Sequence, residues 1–183
     1  IRRFSLMCLT RAVKSRTKAW VGPDQYAIGT GDGCYKIHHA LKAWIERCPQ
    51  RVVISLDIAA AFQSPYRHKI RQAMADNPMA LDVVFNRWYN KPREHIVIDD
   101  NGINHKVRTE RGFDQGCPLG PLVYAMTTRD ITARIKTKMR EVDPSFAIYQ
   151  YADDTQCVVA KEHIAKVMDL FKEEFAEIGV TIN

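Results

Sequence analysis

Two adjacent carboxylates, Asp153 and Asp154, lie between two runs of residues that are typical of β-strands. Isoleucine, tyrosine and valine on both sides favour a half-buried pleated surface, so the sequence predicts a hairpin with the two aspartates at its tip. Like charges side by side at a tight turn repel each other, and a bound cation would offset that repulsion. Aspartate is also a common turn residue, and a turn without a cation is the alternative interpretation.

A third carboxylate, Asp57, follows the apolar run Val52–Leu56. This run predicts a central strand that is covered on both faces, with Asp57 at its end. If the strand pairs with the acidic hairpin in one sheet, the three carboxylates come together. Oxygen ligands of this kind suit Mg²⁺, and two such ions roughly 4 Å apart can activate an attacking hydroxyl and stabilise a leaving pyrophosphate. The pattern therefore favours phosphoryl transfer.

Other chemistries lack their residue patterns. The chain has no Ser/His/Asp or Cys/His nucleophile arrangement, and none of its six histidines has metal-ligand spacing. Its five cysteines include no Cys-x-x-Cys pair, which argues against a zinc site or a secreted disulfide framework and favours a reducing, intracellular compartment. The glycine-rich segment 29–33 has neither a dinucleotide fingerprint nor a Gly-Lys-Ser/Thr ending, so it is predicted to be a loop.

The elements that must position the carboxylates are helices and strands in an irregular order. Apolar residues at helical spacing predict five helices. Three of them begin after the N-caps Asp32, Ser64 and Asn77, and the other two follow the loop 111–121 and the acidic hairpin. Asn101-Gly102 predicts a second hairpin between strands 95–98 and 103–108, and a final strand begins at Val180. This order predicts an α+β fold with an antiparallel sheet.

The composition is that of one globular domain, with 183 residues, 46% of them hydrophobic and 26% charged. The formal charge of +6 and a pI near 9.1 suggest an anionic partner. The first twenty residues add six Lys and Arg and no acid, so nucleic acid is the leading partner and a membrane surface the second, while a solvated face is the plain alternative. No apolar run is long enough to span a bilayer, and we expect the C-terminus to be a fragment boundary.

Three segments resemble the palm motifs of reverse transcriptases in order and separation: Asp57 to Phe62, Gln115 to Leu119, and Tyr151 to Asp154. The sequence Gln-Gly-Cys-Pro-Leu is most similar to the corresponding motif of non-LTR retrotransposon enzymes. A weaker similarity extends to Arg2–Leu6 and to Gln25-Tyr26. The resemblance implies a polymerase palm with a ferredoxin-like core at 51–183, a part of the fingers at 1–50, and an RNA-directed DNA polymerase that uses an RNA template, a DNA primer and deoxynucleoside triphosphates.

The resemblance also implies a role for each matching residue. Asp57, Asp153 and Asp154 would be the catalytic carboxylates that bind two Mg²⁺ ions, with Mn²⁺ as the alternative, and the Ile58 carbonyl would be a further ligand. The remaining matches would contact the nucleotide or the template: Phe62 as the gate against a ribose 2′-hydroxyl, Gln115 beside the nucleotide and template, Gly116 where backbone approaches a base, and Arg2 on the triphosphate.

The sequence also departs from the family pattern. Arg2-Arg3-Phe4 replaces the usual Arg-Pro-Ile, Gly120 replaces serine, and Asp114 puts a negative charge near the template path. The lysine of the next motif would lie just beyond Asn183, so we expect a thumb, and any endonuclease, elsewhere in a longer polyprotein. Two alternatives stay open: an RNA-directed RNA polymerase palm, which Phe62 disfavours, and a catalytically silent nucleic-acid-binding relic. By resemblance, we expect the nucleus as location, with the cytoplasm as the alternative.

Overall fold

The computed structural model describes residues 1–75 and 81–183, and these form the predicted α+β fold. In chain order the elements are α1 (Arg2–Val21), α2 (Gly33–Arg47), β1 (Arg51–Leu56), β2 (Ile58–Ala59), α3 (Arg67–Ala75), α4 (Leu81–Tyr89), β3 (Arg93–Ile98), β4 (Asn104–Thr109), α5 (Gly120–Arg140), β5 (Ala147–Tyr151), β6 (Asp154–Ala160), α6 (Ile164–Ala176) and β7 (Thr181–Ile182). The segment 29–33 up to the start of α2 is a loop, as predicted.

The main sheet has three strands in the order β1-β6-β5, and both pairings are antiparallel. Leu56 at the end of β1 faces Thr155, and Tyr151 at the end of β5 faces Asp154. The prediction that β1 is a central strand is wrong, because β6 occupies the centre and β1 forms an edge. Burial agrees with this order, since β6 buries four of its seven residues and β1 only the last of its six.

One hydrophobic core lies between this sheet and helices α5 and α6. Helix α6 presents Val167, Phe171 and Phe175 at four-residue spacing, and all three side chains are fully buried. They pack with Ile135 and Met139 on the C-terminal half of α5. Each buried phenylalanine contributes roughly 1.5–3 kcal/mol to stability. The apolar residues that predict these two helices therefore face the core, except for Ile164 at the start of α6, which is exposed.

A second core joins α1, α3 and α4 to the first turns of α5. Leu6 and Val13 of α1 pack in the same cluster as Ile70 of α3, Phe85 of α4 and Leu122 of α5. Helix α5 contributes to both cores, and residues 122–128 of this helix are all buried. The boundary between a fingers segment and a palm at residue 50 stays a prediction.

The helix starts differ in detail from the sequence predictions. Ser64 does not cap α3, because the helix begins only at Arg67, three residues later. Its hydroxyl donates to the Ala59 carbonyl at 3.1 Å. Asp32 holds the N-cap position of α2 with a left-handed backbone, φ 55°, and makes no capping hydrogen bond through its side chain. The predicted cap Asn77-Pro78 lies outside the described residues.

The second predicted hairpin is confirmed, and its loop has five residues, 99–103. Strands β3 and β4 pair in antiparallel register, with Ile98 facing Asn104. Gly102 adopts φ 78° and donates its N–H to the Asp99 carbonyl at 2.9 Å, which closes the turn. Across residues 1–75 and 81–183, the helices are all too short or too polar to cross a membrane.

Candidate active site

The acidic hairpin has the form that the sequence predicts. Strand β5 ends at Tyr151 and β6 begins at Asp154, so the turn between them consists of Ala152 and Asp153. Ala152 has φ 56°, in the left-handed region that a residue with a Cβ adopts at a cost. Asp153 is half-buried and Asp154 is exposed. Both carboxylates therefore stand at the end of the sheet, beside the strand that leads to Asp57.

Asp57 lies at the same end of the sheet. It directly follows Leu56, whose partner across the ladder is Thr155, so the chain brings Asp57 alongside the acidic turn. The Asp57 carboxylate is exposed and accepts a hydrogen bond from the Asn183 side-chain amide at 2.6 Å. Within residues 1–75 and 81–183, no three His, Cys, Asp or Glu side chains are grouped closely enough to hold a metal ion. The strands thus bring the carboxylates to one edge, and their role as ligands stays a prediction.

The backbone next to Asp57 leaves one carbonyl available at this edge. The Asn183 N–H donates to the Asp57 carbonyl at 3.0 Å, and Ile58 faces Ile182 in the β2–β7 ladder. Hydrogen-bonded and non-hydrogen-bonded pairs alternate in such a ladder, so the Ile58–Ile182 pair is a non-hydrogen-bonded one. The Ile58 carbonyl is therefore not used by β7. Like the three carboxylates, it is an oxygen donor of the kind that Mg²⁺ prefers.

Phe62 and Asp153 share a neighbour that the sequence did not single out. The Phe62 ring meets the Tyr124 ring edge to face, with 5.3 Å between centroids. Tyr124 is 1% exposed, and within the described residues its hydroxyl has no hydrogen-bond partner. Burial raises the pKa of the Tyr124 hydroxyl, and the negative charge of Asp153 raises it further. In the sequence Tyr124 is one more apolar residue of a helix, and no local signal sets it apart.

The loop that carries Gln115 and Gly116 is held against Phe62 by its backbone. The Gly112 N–H donates to the Pro65 carbonyl and the Phe113 N–H to the Phe62 carbonyl, both at 2.8 Å. Gly112 has φ 47°, and a Cβ there would stand 2.2 Å from the Phe62 carbonyl oxygen. The structure thus places the Phe62 segment and the Gln115 loop in direct contact.

Gly116 and Gln115 both face open space on this loop. Gly116 has φ 79°, and a Cβ at this position would meet nothing within 4 Å. Gln115 lines a cleft with a volume of about 980 Å³ that extends to the β3–β4 hairpin. The cleft walls carry more basic than acidic side chains, namely Arg93, Arg108 and Arg111 against Glu110 and Asp114. Arg93 pairs with Asp114 and Arg108 pairs with Glu110, so the excess on these walls is one positive charge.

Arg2 contacts this loop from helix α1. Its guanidinium donates to the Tyr89 hydroxyl and to the Asp114 carboxylate, each at 2.8 Å. Arg93 donates to the same carboxylate, and His95 lies 3.7 Å from it. Asp114 is therefore paired with two guanidinium groups, which neutralise its negative charge. Arg93 is a cleft residue that the sequence interpretation missed, since nothing local separates it from other strand cations.

Comparison with known proteins gives a family match and a fold match. The family model for "Reverse transcriptase (RNA-dependent DNA polymerase)" matches residues 2–183. No curated protein sequence matches the chain significantly.

Among solved structures, the telomerase of Candida albicans in complex with a TWJ fragment of telomeric RNA matches with a TM-score of 0.63 and 10% identity, over 100% of this chain and 34% of that one. The apo telomerase of Candida tropicalis matches with a TM-score of 0.65 and 10% identity, over 99% and 35%. At this identity the similarity shows the fold alone, and the chain spans about a third of the length of these telomerases.

Proposed function

The chain belongs to the reverse transcriptase (RNA-dependent DNA polymerase) family, and on this premise we propose that it adds deoxynucleotides to a primer 3′-hydroxyl on an RNA template. Its mixed helical and antiparallel fold resembles that of telomerase. The observation that carries the proposal is the register of the main sheet. It sets Asp57, after Leu56, beside the turn that holds Asp153 and Asp154.

A divalent metal ion fits the donor chemistry at this edge. Asp57, Asp153 and Asp154 would hold it, with the Ile58 carbonyl as a further ligand. When bound, Mg²⁺ would supply activation of the attacking hydroxyl and stabilisation of the charge on the leaving pyrophosphate. Mn²⁺ prefers similar oxygen ligands and would be the substitute ion.

The protein's own residues would bind and orient the nucleotide. Phe62 would exclude a ribose 2′-hydroxyl, and Tyr124 supports the Phe62 ring from behind. Gln115 and Gly116 would lie against the nucleotide and the template, with Gly116 offering bare backbone to a base. The second terminal nitrogen of the Arg2 guanidinium would reach the triphosphate, while Asp114 and Tyr89 hold the first. Catalysis would thus rest on positioning and charge stabilisation.

We further propose a non-LTR retrotransposon enzyme with a nuclear location. The wording Gln115-Gly116-Cys117-Pro118-Leu119 supports this type. In this proposal a longer polyprotein supplies the thumb, the next motif and any endonuclease. The similar Candida albicans telomerase is in complex with a fragment of telomeric RNA, which supports RNA as the template class for this chain as well.

Primer extension on a homopolymer RNA template with Mg²⁺ tests the proposal in the complete protein. Wild type should incorporate deoxynucleotides, and Asp153→Asn should reduce incorporation by at least about a thousandfold, because a ligand carboxylate is lost. Asp100→Asn is the matched control, since Asp100 also belongs to an Asp-Asp pair at a hairpin turn and is exposed. It should retain wild-type incorporation.

Three results would reject the proposal in different ways. Equal incorporation by wild type and Asp153→Asn would reject the metal-ligand role. RNA binding without any synthesis by the wild type would favour the silent binding module, whose affinity should fall steeply with salt because the contacts are to phosphates. Efficient use of ribonucleotides by wild type would favour an RNA-directed RNA polymerase instead.

A further inference from the structure

The side chain of Gln25 brackets the backbone of the acidic turn. Its amide Nε2 donates to the Ala152 carbonyl at 3.0 Å, and its Oε1 accepts the Ala152 N–H at 2.9 Å. The two residues are 127 positions apart in the sequence, and Gln25 is only 1% exposed. One side-chain amide thus satisfies both main-chain groups of the residue that precedes Asp153.

Ala152 needs such support because of its backbone conformation. It has φ 56°, and a residue with a Cβ is disfavoured in the left-handed region. Conformations of this kind persist only where the surroundings determine them. A primary amide carries an acceptor oxygen and a donor nitrogen on the same carbon, so it can pair with the N–H and the carbonyl of one residue at once. An aliphatic side chain of the same length has neither group.

Gln25 is itself fixed in place. Its Oε1 also accepts the Ala27 N–H at 3.0 Å, so the amide orientation is set from two sides. The backbone around it pairs with β5, since Tyr26 donates to the Gln150 carbonyl at 2.7 Å and Gln150 donates to the Asp24 carbonyl at 2.8 Å. Gln25 therefore belongs to a short parallel bridge to Gln150 of strand β5.

A second layer of hydrogen bonds lies under the turn. The side-chain Nε2 of Gln150 donates to the Thr155 hydroxyl, and the Thr132 hydroxyl donates to the side-chain Oε1 of Gln150, each at 3.3 Å. All three side chains are buried. They connect β5, β6 and helix α5 next to the acidic turn. Gln25 and these three residues thus form two sets of buried polar groups, each hydrogen-bonded, at the end of the hairpin.

We infer that Gln25 is a positioning residue for the acidic turn: by holding Ala152 in the left-handed conformation, it sets the direction in which Asp153 presents its carboxylate. This inference rests on the proposed polymerase function only for its effect on rate. The clamp on Ala152 is a property of the turn that can be measured without any reaction.

Gln25→Met in the complete protein tests the inference, because methionine keeps the length of the side chain and removes the hydrogen bonds. The Ala152 amide should exchange its hydrogen at least about tenfold faster. The kcat for deoxynucleotide incorporation should fall at least about tenfold, with KM for the nucleotide changed by less than about threefold, because the carboxylate and not the nucleotide site is displaced. Ala152→Gly added to Gln25→Met should recover part of the lost kcat, because glycine adopts the left-handed region freely.

Tyr149→Phe is the matched control on the same strand. It removes the hydrogen bond that the Trp44 indole donates to the Tyr149 hydroxyl at 3.0 Å, away from the turn. Its kcat and its Ala152 exchange rate should stay within about twofold of wild type. If Gln25→Met does not fold, Gln25→Glu replaces it, since the carboxylate still accepts from Ala152 and Ala27 and loses only the donor.

The outcomes separate this inference from the proposed function. If the Gln25 variants match Tyr149→Phe in both kcat and Ala152 exchange while Asp153→Asn is inactive, the inference is wrong and the proposed function stands. If wild type incorporates no nucleotide, the proposed function fails, and the exchange rate alone decides whether Gln25 holds the turn. A wild-type kcat in Gln25→Met without the Ala152→Gly substitution would also contradict the inference.

Discussion

Replacing Gly112 by alanine measures how tightly the Gln115 loop is held against the Phe62 segment. The new Cβ would lie 2.2 Å from the Phe62 carbonyl oxygen and 2.4 Å from the Gln63 carbonyl carbon. Both are backbone atoms, so no side chain can rotate out of the way. The loop must therefore move, and the hydrogen bonds from Gly112 to Pro65 and from Phe113 to Phe62 are expected to break.

The expected loss of stability follows from these contacts. Alanine in the left-handed region costs about 1–2 kcal/mol, and each lost backbone hydrogen bond costs about 1 kcal/mol. We therefore expect the free energy of unfolding to fall by about 3–4 kcal/mol, a large part of the 5–15 kcal/mol that is typical of a domain. Because Gln115 moves with the loop, the KM for the incoming nucleotide should rise.

Urea denaturation of wild type and variants measures the first quantity, and steady-state primer extension measures the second. Gly102→Ala is the matched control, because Gly102 has φ 78° and open space around the missing Cβ. It carries only the left-handed cost of about 1–2 kcal/mol. The difference between the two variants therefore isolates the contact with Phe62.

Gly116→Ala completes the comparison. Gly116 has φ 79° and also has nothing within 4 Å, so its stability loss should equal that of Gly102→Ala. Its incorporation rate should nevertheless fall sharply, because template and nucleotide are expected to approach its backbone. The reasoning would be refuted if Gly112→Ala were no less stable than Gly102→Ala, or if Gly116→Ala polymerised at the wild-type rate.

Three further predictions concern the gate, the acid limit and the cleft charge. Phe62→Ala should admit ribonucleotides, measured as the ratio of kcat/KM for the two sugars, and unchanged discrimination would contradict the gate assignment. Burial raises the pKa of Asp143, but the hydrogen bond from Arg51 and further hydrogen bonds outweigh it and hold this pKa below the ordinary value of 3.8. The Arg51–Asp143 pair therefore stabilises the fold at pH values above 3.8. The free energy of unfolding should fall as the pH drops below 3.8, and it should fall less steeply in Asp143→Asn. Asp114→Asn should steepen the salt dependence of RNA binding by about one unit in log–log slope, since two guanidinium groups lose their counter-charge; an unchanged slope would place that cluster away from the phosphates.

Local patterns predicted what lies within one element. The inward faces of α5 and α6, the two hairpins and the position of Asp153 at a turn all follow from spacing and residue type. The edge position of β1 did not, because an apolar run indicates burial but not which strand lies beside it. The predicted cap at Ser64 is wrong because α3 begins three residues later, at Arg67.

The site residues divide in the same way. Asp57, Phe62 and Gln115 could be named from motifs that resemble a family. The pairing of Arg2 with Asp114 and the contact between Phe62 and Tyr124 could not, because each joins elements that are far apart in the sequence. Such contacts depend on how helices and sheet pack, and no single segment encodes that packing.

The position of α5 between the two hydrophobic cores has a consequence for sequence variation. Residues 122–128 are buried without interruption, so for two turns this helix has no face that can accept a bulkier or charged residue. In a library of random variants selected for folding, this stretch should be the most depleted of substitutions, while exposed positions of α2 and α4 change freely. In a gene copy that accumulates random substitutions, we therefore expect substitutions in this helix to unfold the protein before the three aspartates are replaced.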